Sequence, residues 1–273
     1  MTARQPTLIG LPYDGSSSYL RGPARAPAAV RRVLHSGAGN WFTEHGVDLH
    51  PSLERWIDGG DLDIDDDPAT ARSQIRAHAA GLAEAGKPII ALGGDHFVTL
   101  PLVEALSPRV GHLTIVHIDA HPDFYDELDG ERLSHACPFA RIMEAGLADR
   151  LLQFGVRTMT AHQADQVERF GVEVFTAADW DGRVPPLDGD VYLTIDVDGL
   201  DPAYAPGVSH HEPGGLTTRQ VIDLINQVGA QPDVIVVGAD IVEINPDRDI
   251  NDMTAAVGAK LLKELLGVMI TQP

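Results

Sequence analysis

Leu113-Thr114-Ile115-Val116-His117-Ile118-Asp119-Ala120-His121-Pro122-Asp123 is the stretch whose reading decides the fold. Its first six residues are short, apolar and rich in β-branched side chains, the composition of a strand buried on both faces of a sheet. Pro122 disfavours a helical His121 and removes a backbone donor, so the chain stays extended or turns as it leaves that strand. Asp119, His121 and Asp123 therefore stand at the strand's C-terminal mouth. In an extended segment, alternate side chains share one face at roughly 6.5–7 Å spacing, near enough for all three to converge on one metal cluster.

Working outward, the same pattern recurs. Val191-Tyr192-Leu193-Thr194-Ile195 runs into Asp196-Val197-Asp198, and Ile89-Ile90-Ala91-Leu92 runs into Gly93-Gly94-Asp95-His96. A further strand over 234–237 leads through Gly238-Ala239-Asp240-Ile241-Val242 to Glu243. Between these lie segments with helical pattern. The sequence predicts strands at 7–13, 55–58, 89–92, 113–118, 152–156, 172–175, 191–195 and 234–237. Helices are predicted at 28–35, 69–85, 98–106, 162–170, 218–228 and 253–269, and one more is opened by Ser134-His135 and runs through Met143 to Ala145. Asp67-Pro68 is the N-cap and first turn of the second helix, the acidic run from Asp61 to Asp67 is a solvated loop, and 36–54 is irregular. Residues 196–215 form a long Pro- and Gly-rich loop, a length often reserved for function. Strands alternating with helices predict an α/β fold, a three-layer α/β/α arrangement with a mostly parallel central sheet, as a single domain over 1–273. In such sheets ligands bind outside the carboxyl ends of the strands, where His96, Asp119, His121, Asp123, Asp196, Asp198 and Glu243 all fall.

At 273 residues with 44% apolar content the chain can bury a full core. A formal net charge of −20 argues against nucleic acid or an anionic membrane as partner and is compatible with a small cationic ligand. The single cysteine, Cys137, forms no intrachain disulfide and is expected to serve packing, with no activating base evident. That cysteine usage, with no apolar membrane span or signal core, leads to the expectation of a soluble, cytoplasmic protein.

Two imidazoles and four carboxylates are too many ligands for one structural zinc, which is four-coordinate and rich in thiolate. A binuclear centre is the economical reading, and carboxylate-rich ligation suits Mn²⁺, with Fe²⁺ or Co²⁺ as alternatives. Such a pair lowers the pKa of bound water. A calcineurin-type metallophosphatase is disfavoured, because its later Gly-Asp-x-x-Asp and Gly-Asn-His do not follow.

The motifs Gly93-Gly94-Asp95-His96, Asp119-Ala120-His121-Pro122-Asp123, Ser134-His135, Asp196-Val197-Asp198-Gly199-Leu200-Asp201-Pro202 and Val242-Glu243-Ile244-Asn245-Pro246 resemble the signatures of the arginase, or ureohydrolase, family in that order. The similarity leans to the plant-type arginase/agmatinase branch, in Ala205-Pro206-Gly207-Val208-Ser209-His210 and the tail from Asn245 to Glu264. It implies an arginase-like fold and two Mn²⁺ per subunit. Asp119 and Asp196 would bridge the metals, His96 and Asp123 would complete one site, and His121 and Asp198 the other. It implies that Glu243 holds a guanidinium, which a carboxylate can do through two parallel N–H bonds. His135 would shuttle a proton to the leaving amine, helped by Asp198. The activity implied is hydrolysis of the guanidino C–N bond of L-arginine or agmatine by metal-bound hydroxide, releasing urea and ornithine or putrescine. Guanidinobutyrate, formiminoglutamate and a non-catalytic metal-binding relative are the alternatives; one-zinc lysine deacetylases of related fold are disfavoured by the complete ligand set. A homo-oligomer, trimer or hexamer, is a family expectation. Tyr125 stands where animal-type arginases place an Asn against the substrate carboxylate, and Thr158-Met159-Thr160 supplies no acidic group for an α-amine. His210 and His211 lie in the loop that the family uses to line its pocket. Glu243 pairing with Arg248 is its alternative role, and His117 reads as a satisfied core histidine.

Overall fold

The computed structural model describes residues 5–272. Eight strands form one entirely parallel sheet in the order β2-β1-β3-β8-β7-β4-β5-β6. They are β1 (Thr7–Gly10), β2 (Ile57–Asp61), β3 (Ile89–Leu92), β4 (Leu113–Ile118), β5 (Arg150–Val156), β6 (Glu173–Thr176), β7 (Gly189–Asp196) and β8 (Val234–Val242). The helices are α1 (Ala26–Leu34), α2 (Pro68–Glu84), α3 (Thr99–Leu106), α4 (Pro138–Glu144), α5 (Ala161–Phe170), α6 (Thr218–Gly229) and α7 (Met253–Thr271).

Alternate residues of the strands feed two separate cores. Leu8, Ile90, Val116, Leu193 and Ile241 pack with side chains of α1, α6 and α7. Ile9, Ala91, Ile115 and Tyr192 pack on the other face with α2, α3 and α4. Both faces are covered, which is why β3 and β4 are apolar without alternation. The sheet is thus three-layered as expected, and parallel throughout rather than mostly parallel.

Several boundaries differ from expectation for local reasons. The helix expected to open at Ser134-His135 begins at Pro138, with proline in the first turn where its missing N–H costs nothing. His135 is left in the turn before it. Strand β2 runs on through Gly59-Gly60 to Asp61, because pairing with β1 overrides the poor strand propensity of glycine. Strand β8 reaches Val242, so nearly the whole run up to Glu243 is strand. The Asp67 cap is as read: its carboxylate accepts the Thr70 N–H at 2.9 Å. Of the irregular segment, 51–53 is a short 3₁₀ turn.

One consequence of the strand order governs the site. Strands β3, β8, β7 and β4 are adjacent at the centre of the sheet, although they are the third, eighth, seventh and fourth along the chain. Their four carboxyl ends carry every ligand-forming motif singled out above, on one side of one short stretch of sheet edge.

Candidate metal centre

At that edge, beside the buried trio His96, His117 and Asp119 in which His117 already bonds Asp119, two further groups of ligand atoms form around that shared aspartate. His96, Asp119, Asp123 and Asp196 make one and Asp119, His121 and Asp198 the other. His96 Nδ1 lies 3.2 Å from Asp119 Oδ2, 3.0 Å from Asp123 Oδ2 and 3.3 Å from Asp196 Oδ2. His121 Nδ1 lies 3.3 Å from Asp119 Oδ1 and 3.2 Å from Asp198 Oδ2. Asp119 therefore turns one oxygen to each group. Asp196 stands in the first group with its Oδ2, and its Oδ1 accepts the Asp198 N–H at 2.8 Å. Asp123 is held in the left-handed region at φ 47° and Glu243 at φ 63°, backbone strain of the kind that collects at functional sites.

The tautomer of His96 tests whether these residues suit a metal. Its Nε2 is 3.0 Å from Thr194 Oγ1, and that hydroxyl spends its single proton on Asp240 Oδ1 at 2.6 Å. Nε2 must then be the donor, and Nδ1 faces the carboxylates. Buried Nδ1 has no hydrogen-bond partner although three carboxylate oxygens surround it. Such an arrangement demands positive charge in the space between. The same demand appears in proton affinity: burial works against the charged imidazole, but Asp119, Asp123 and Asp196 raise His96 well above its ordinary value. Burial, then the charges of Asp198 and Asp119, push Asp196 well above the usual carboxylate range. Carboxylate and imidazole donors in this ratio fit divalent ions such as Mn²⁺.

Beneath the ligands runs a second, polar row that sequence reading did not connect. Strand register pairs Gln153 with His117, His117 with Thr194, and Thr194 with Asp240, so four buried polar residues line up across β5, β4, β7 and β8. Gln153 Nε2 donates to His117 Nδ1 at 3.0 Å and to Pro122 O at 2.7 Å. His117 Nε2 then donates to Asp119 Oδ2 at 2.8 Å. Asp240 accepts three hydroxyls, from Thr194, Thr99 and Tyr192. His117 is a satisfied core histidine as read, stacked on Phe139, but its hydrogen bond also orients the shared carboxylate, in the way outer partners orient metal ligands. Burial would raise Asp119; the charges and hydrogen bonds of His117, His121 and His96 hold it well below the usual range.

Glu243 and His135 meet beside the first group. His135 Nδ1 is 2.8 Å from Glu243 Oε1, which also accepts the His96 backbone N–H at 3.0 Å. Arg248 is not a partner of Glu243. Burial disfavours the imidazolium, yet the charge and hydrogen bond of Glu243 outweigh it and raise His135 to about 9. The loop after β1 closes over this pair. Ser18 Oγ lies 2.8 Å from His135 Nε2, and Ser16 N–H donates to buried Asp95 at 2.9 Å. Burial and the charge of Glu243 push Asp95 up to about 8.

The cleft above these groups is about 200 Å³, below the roughly 300–1,000 Å³ of sites for drug-sized ligands, so it suits a small molecule. Tyr125, His135, His210 and Glu243 line it together with Ser18, Leu128, Thr158, Thr160 and Gln163. The His210 ring stands 5.3 Å from that of His135 and 6.0 Å from that of His121. His211 instead bonds Pro206 O on the exposed side of its loop. Cys137 is fully buried, as a packing role requires, and burial pushes its thiol up to about 12. Arg157, which the sequence reading did not single out, donates to the carbonyls of Gly155, Asp198, Gly199, Leu200 and Glu212 and clamps the long loop that carries Asp198. Its only sequence signal is its place directly after β5.

A parallel α/β sheet whose central carboxyl ends gather two carboxylate–imidazole groups around one shared aspartate, under a cleft for a small ligand, fits the class of metal-dependent hydrolases. Comparison with known proteins narrows the class. The arginase family model matches residues 4–267, and the chain belongs to that family. It is 41% identical to arginase 1, mitochondrial, of Arabidopsis thaliana, over 95% of this chain and 79% of that protein. Agmatinase from Cronobacter sakazakii is 37% identical, over 95% of this chain and 85% of that one. The solved arginase from Medicago truncatula superposes with a TM-score of 0.89 at 37% identity, covering 98% of this chain and 88% of that one. The protein is a ureohydrolase of the arginase/agmatinase kind, a hydrolase of guanidino C–N bonds.

Proposed function

We propose that the protein binds two Mn²⁺ ions and hydrolyses the guanidino group of L-arginine or agmatine, releasing urea and ornithine or putrescine. The observation that carries this is Glu243. One of its oxygens is engaged by His135 and the His96 N–H, while the residue lines the cleft directly beside both ligand groups. Its second oxygen is left to accept N–H from a guanidinium, charge-assisted and in a dry site.

His96, Asp123, Asp119 and Asp196 would hold one ion, and His121, Asp198 and Asp119 the other. A bound pair of divalent ions lowers the pKa of water towards neutrality and so supplies hydroxide at pH 7. Glu243 orients the guanidinium carbon over the ligand groups. His135, kept protonated by Glu243, stands ready to give its proton to the departing amine, while Asp198 can relay the proton released by the attacking water. Water adds across the C–N bond: its oxygen stays with urea and a proton leaves with the amine. The net charge of −20 suits a cationic substrate. Among the described residues, the wall of the cleft carries no Lys or Arg to meet a substrate carboxylate, which keeps agmatine beside L-arginine, whereas the Arabidopsis relative named an arginase favours the amino acid. A cytoplasmic location and a trimer or hexamer belong to the same proposal.

The test is urea release by Mn²⁺-loaded protein with L-arginine and agmatine in parallel, and with Asp119→Ala as control. Urea from either substrate, abolished in the variant that strips both ligand groups of their shared member, is the expected result. No urea from either sinks the proposal.

A further inference from the structure

The outer wall of the cleft, on the β5 side, contains a pre-oriented amide donor with no protein partner among the described residues. Gln163 is 4% exposed and lines the cleft. Its Oε1 accepts the Thr160 backbone N–H at 3.0 Å and the Thr160 hydroxyl at 3.1 Å, completing the capping box of α5. A backbone N–H can bond only the amide oxygen, so the orientation of the Gln163 amide is fixed by chemistry. Its Nε2 is left with no protein partner among the described residues. That NH₂ is not fully buried, so it is free to donate to water or to a ligand acceptor in the cleft it lines.

The surroundings hold this donor rigidly. Tyr125 stacks on His162 at 6.0 Å and 16°, and His162 Nε2 accepts the Asp126 N–H at 3.2 Å. The first turn of α5 is thereby tied to the loop that carries Tyr125, so the amide is pre-organised rather than recruited. Thr158, Thr160 and Leu128 complete this wall, and no carboxylate among them could receive an ammonium.

We propose that Gln163 is a specificity residue, whose amide N–H reads the tail of the guanidino substrate and selects tails that end in a hydrogen-bond acceptor, such as a carboxylate, over tails that end in an ammonium alone. The inference rests on the proposed function in that Glu243 holds the guanidinium end. It resolves the choice left open there in favour of L-arginine over agmatine.

Gln163→Glu isolates the effect. The glutamate keeps an oxygen for the Thr160 N–H and turns an acceptor, in place of a donor, into the cleft. Gln163→Met, of similar length, removes the donor without adding charge, and circular dichroism checks that both variants are folded. Two ratios are read: kcat/KM for L-arginine against agmatine, and equilibrium binding of 4-guanidinobutyrate against agmatine by calorimetry, which needs no turnover. Hydrogen bonds to charged groups are worth enough to change each ratio by about tenfold or more. Gln163→Glu is expected to lower both ratios at least that far and to strengthen agmatine. Gln163→Met is expected to weaken only the acceptor-tailed ligands, chiefly in KM because Gln163 belongs to neither ligand group. Binding ratios within about threefold of wild type in both variants, or no binding of either ligand by wild type, overturn the inference. Shifted binding with no urea from any substrate sustains it and instead refutes the parent reading.

Discussion

Replacing His117 by Phe separates a core role from a role at the metal groups. Phenylalanine keeps the stack on Phe139, whose ring centroid is 4.0 Å away, and removes only the 2.8 Å hydrogen bond onto Asp119 Oδ2 and the acceptor for Gln153. A hydrogen bond onto a charged carboxylate contributes about 1.5–3 kcal/mol. Loss of an outer partner of a metal ligand typically costs 10- to 100-fold in metal affinity, or about 1.4–2.7 kcal/mol. The two routes agree near ~2 kcal/mol. Calorimetric titration with Mn²⁺ should therefore show affinity weakened by about 10- to 100-fold. The metal-free melting temperature should fall by about 4–8 °C, at roughly 2–4 °C per kcal/mol for a chain of this size. Affinity within about threefold of wild type, with melting unchanged to about 1 °C, would refute the view that His117 orients the shared carboxylate.

Two further outcomes follow from backbone proximity and from surface charge. A Cβ at Gly94 would sit 1.7 Å from the Tyr13 carbonyl oxygen, and Gly94 O accepts the Glu243 N–H at 2.8 Å. Gly94→Ala should thus lose most soluble folded protein, or fold with Glu243 displaced and urea release gone; a soluble variant with normal activity would contradict the close approach of these two segments. Glu44 pairs with Arg219 and Lys260, and Arg219 first among them lowers its pKa from 4.5 to about 2. A depressed carboxylate stabilises the fold above its unfolded value and loses that contribution as pH falls from 4.5 towards 2. Denaturation at pH 6 and pH 2.5 should show Glu44→Gln less stable than wild type at pH 6, by less than ~1 kcal/mol because the pair is solvent-screened, with a smaller deficit at pH 2.5.

The ligand set was legible because its members follow apolar runs that form strands, although His96 and Asp198 lie in short 3₁₀ turns and Asp123 is left-handed at φ 47° rather than extended. Asp119, His121 and Asp123 need only a strand and a proline to be placed together. His117 was legible as buried but not as a partner of Asp119, since the same alternation that puts them on one face says nothing of the proton between them. Gln163 was hidden because a glutamine in the first turn of a helix reads as capping, and capping is half of what it does. His135 was assigned to a helix it does not enter, because a Ser-His pair before an apolar run resembles a helix start and only the position of Pro138 in the fold shows where the helix begins.

The sequence by itself determined that strands and helices alternate, that the sheet is buried on both faces, and that four strands end in ligand-forming side chains. Local geometry is sufficient for these, because period, β-branching and proline act within a few residues. The tertiary structure decided that strands β3, β8, β7 and β4 lie side by side, which no local signal encodes since β3 and β8, and β4 and β7, are far apart in the chain. That order turns four separate strand ends into one centre, sets the Gln153–His117–Thr194–Asp240 row beneath it, and brings Ser18 and Arg157 against it from loops far away in sequence. Hydrogen-bond direction across strands depends on register, and register is settled only when both cores are packed.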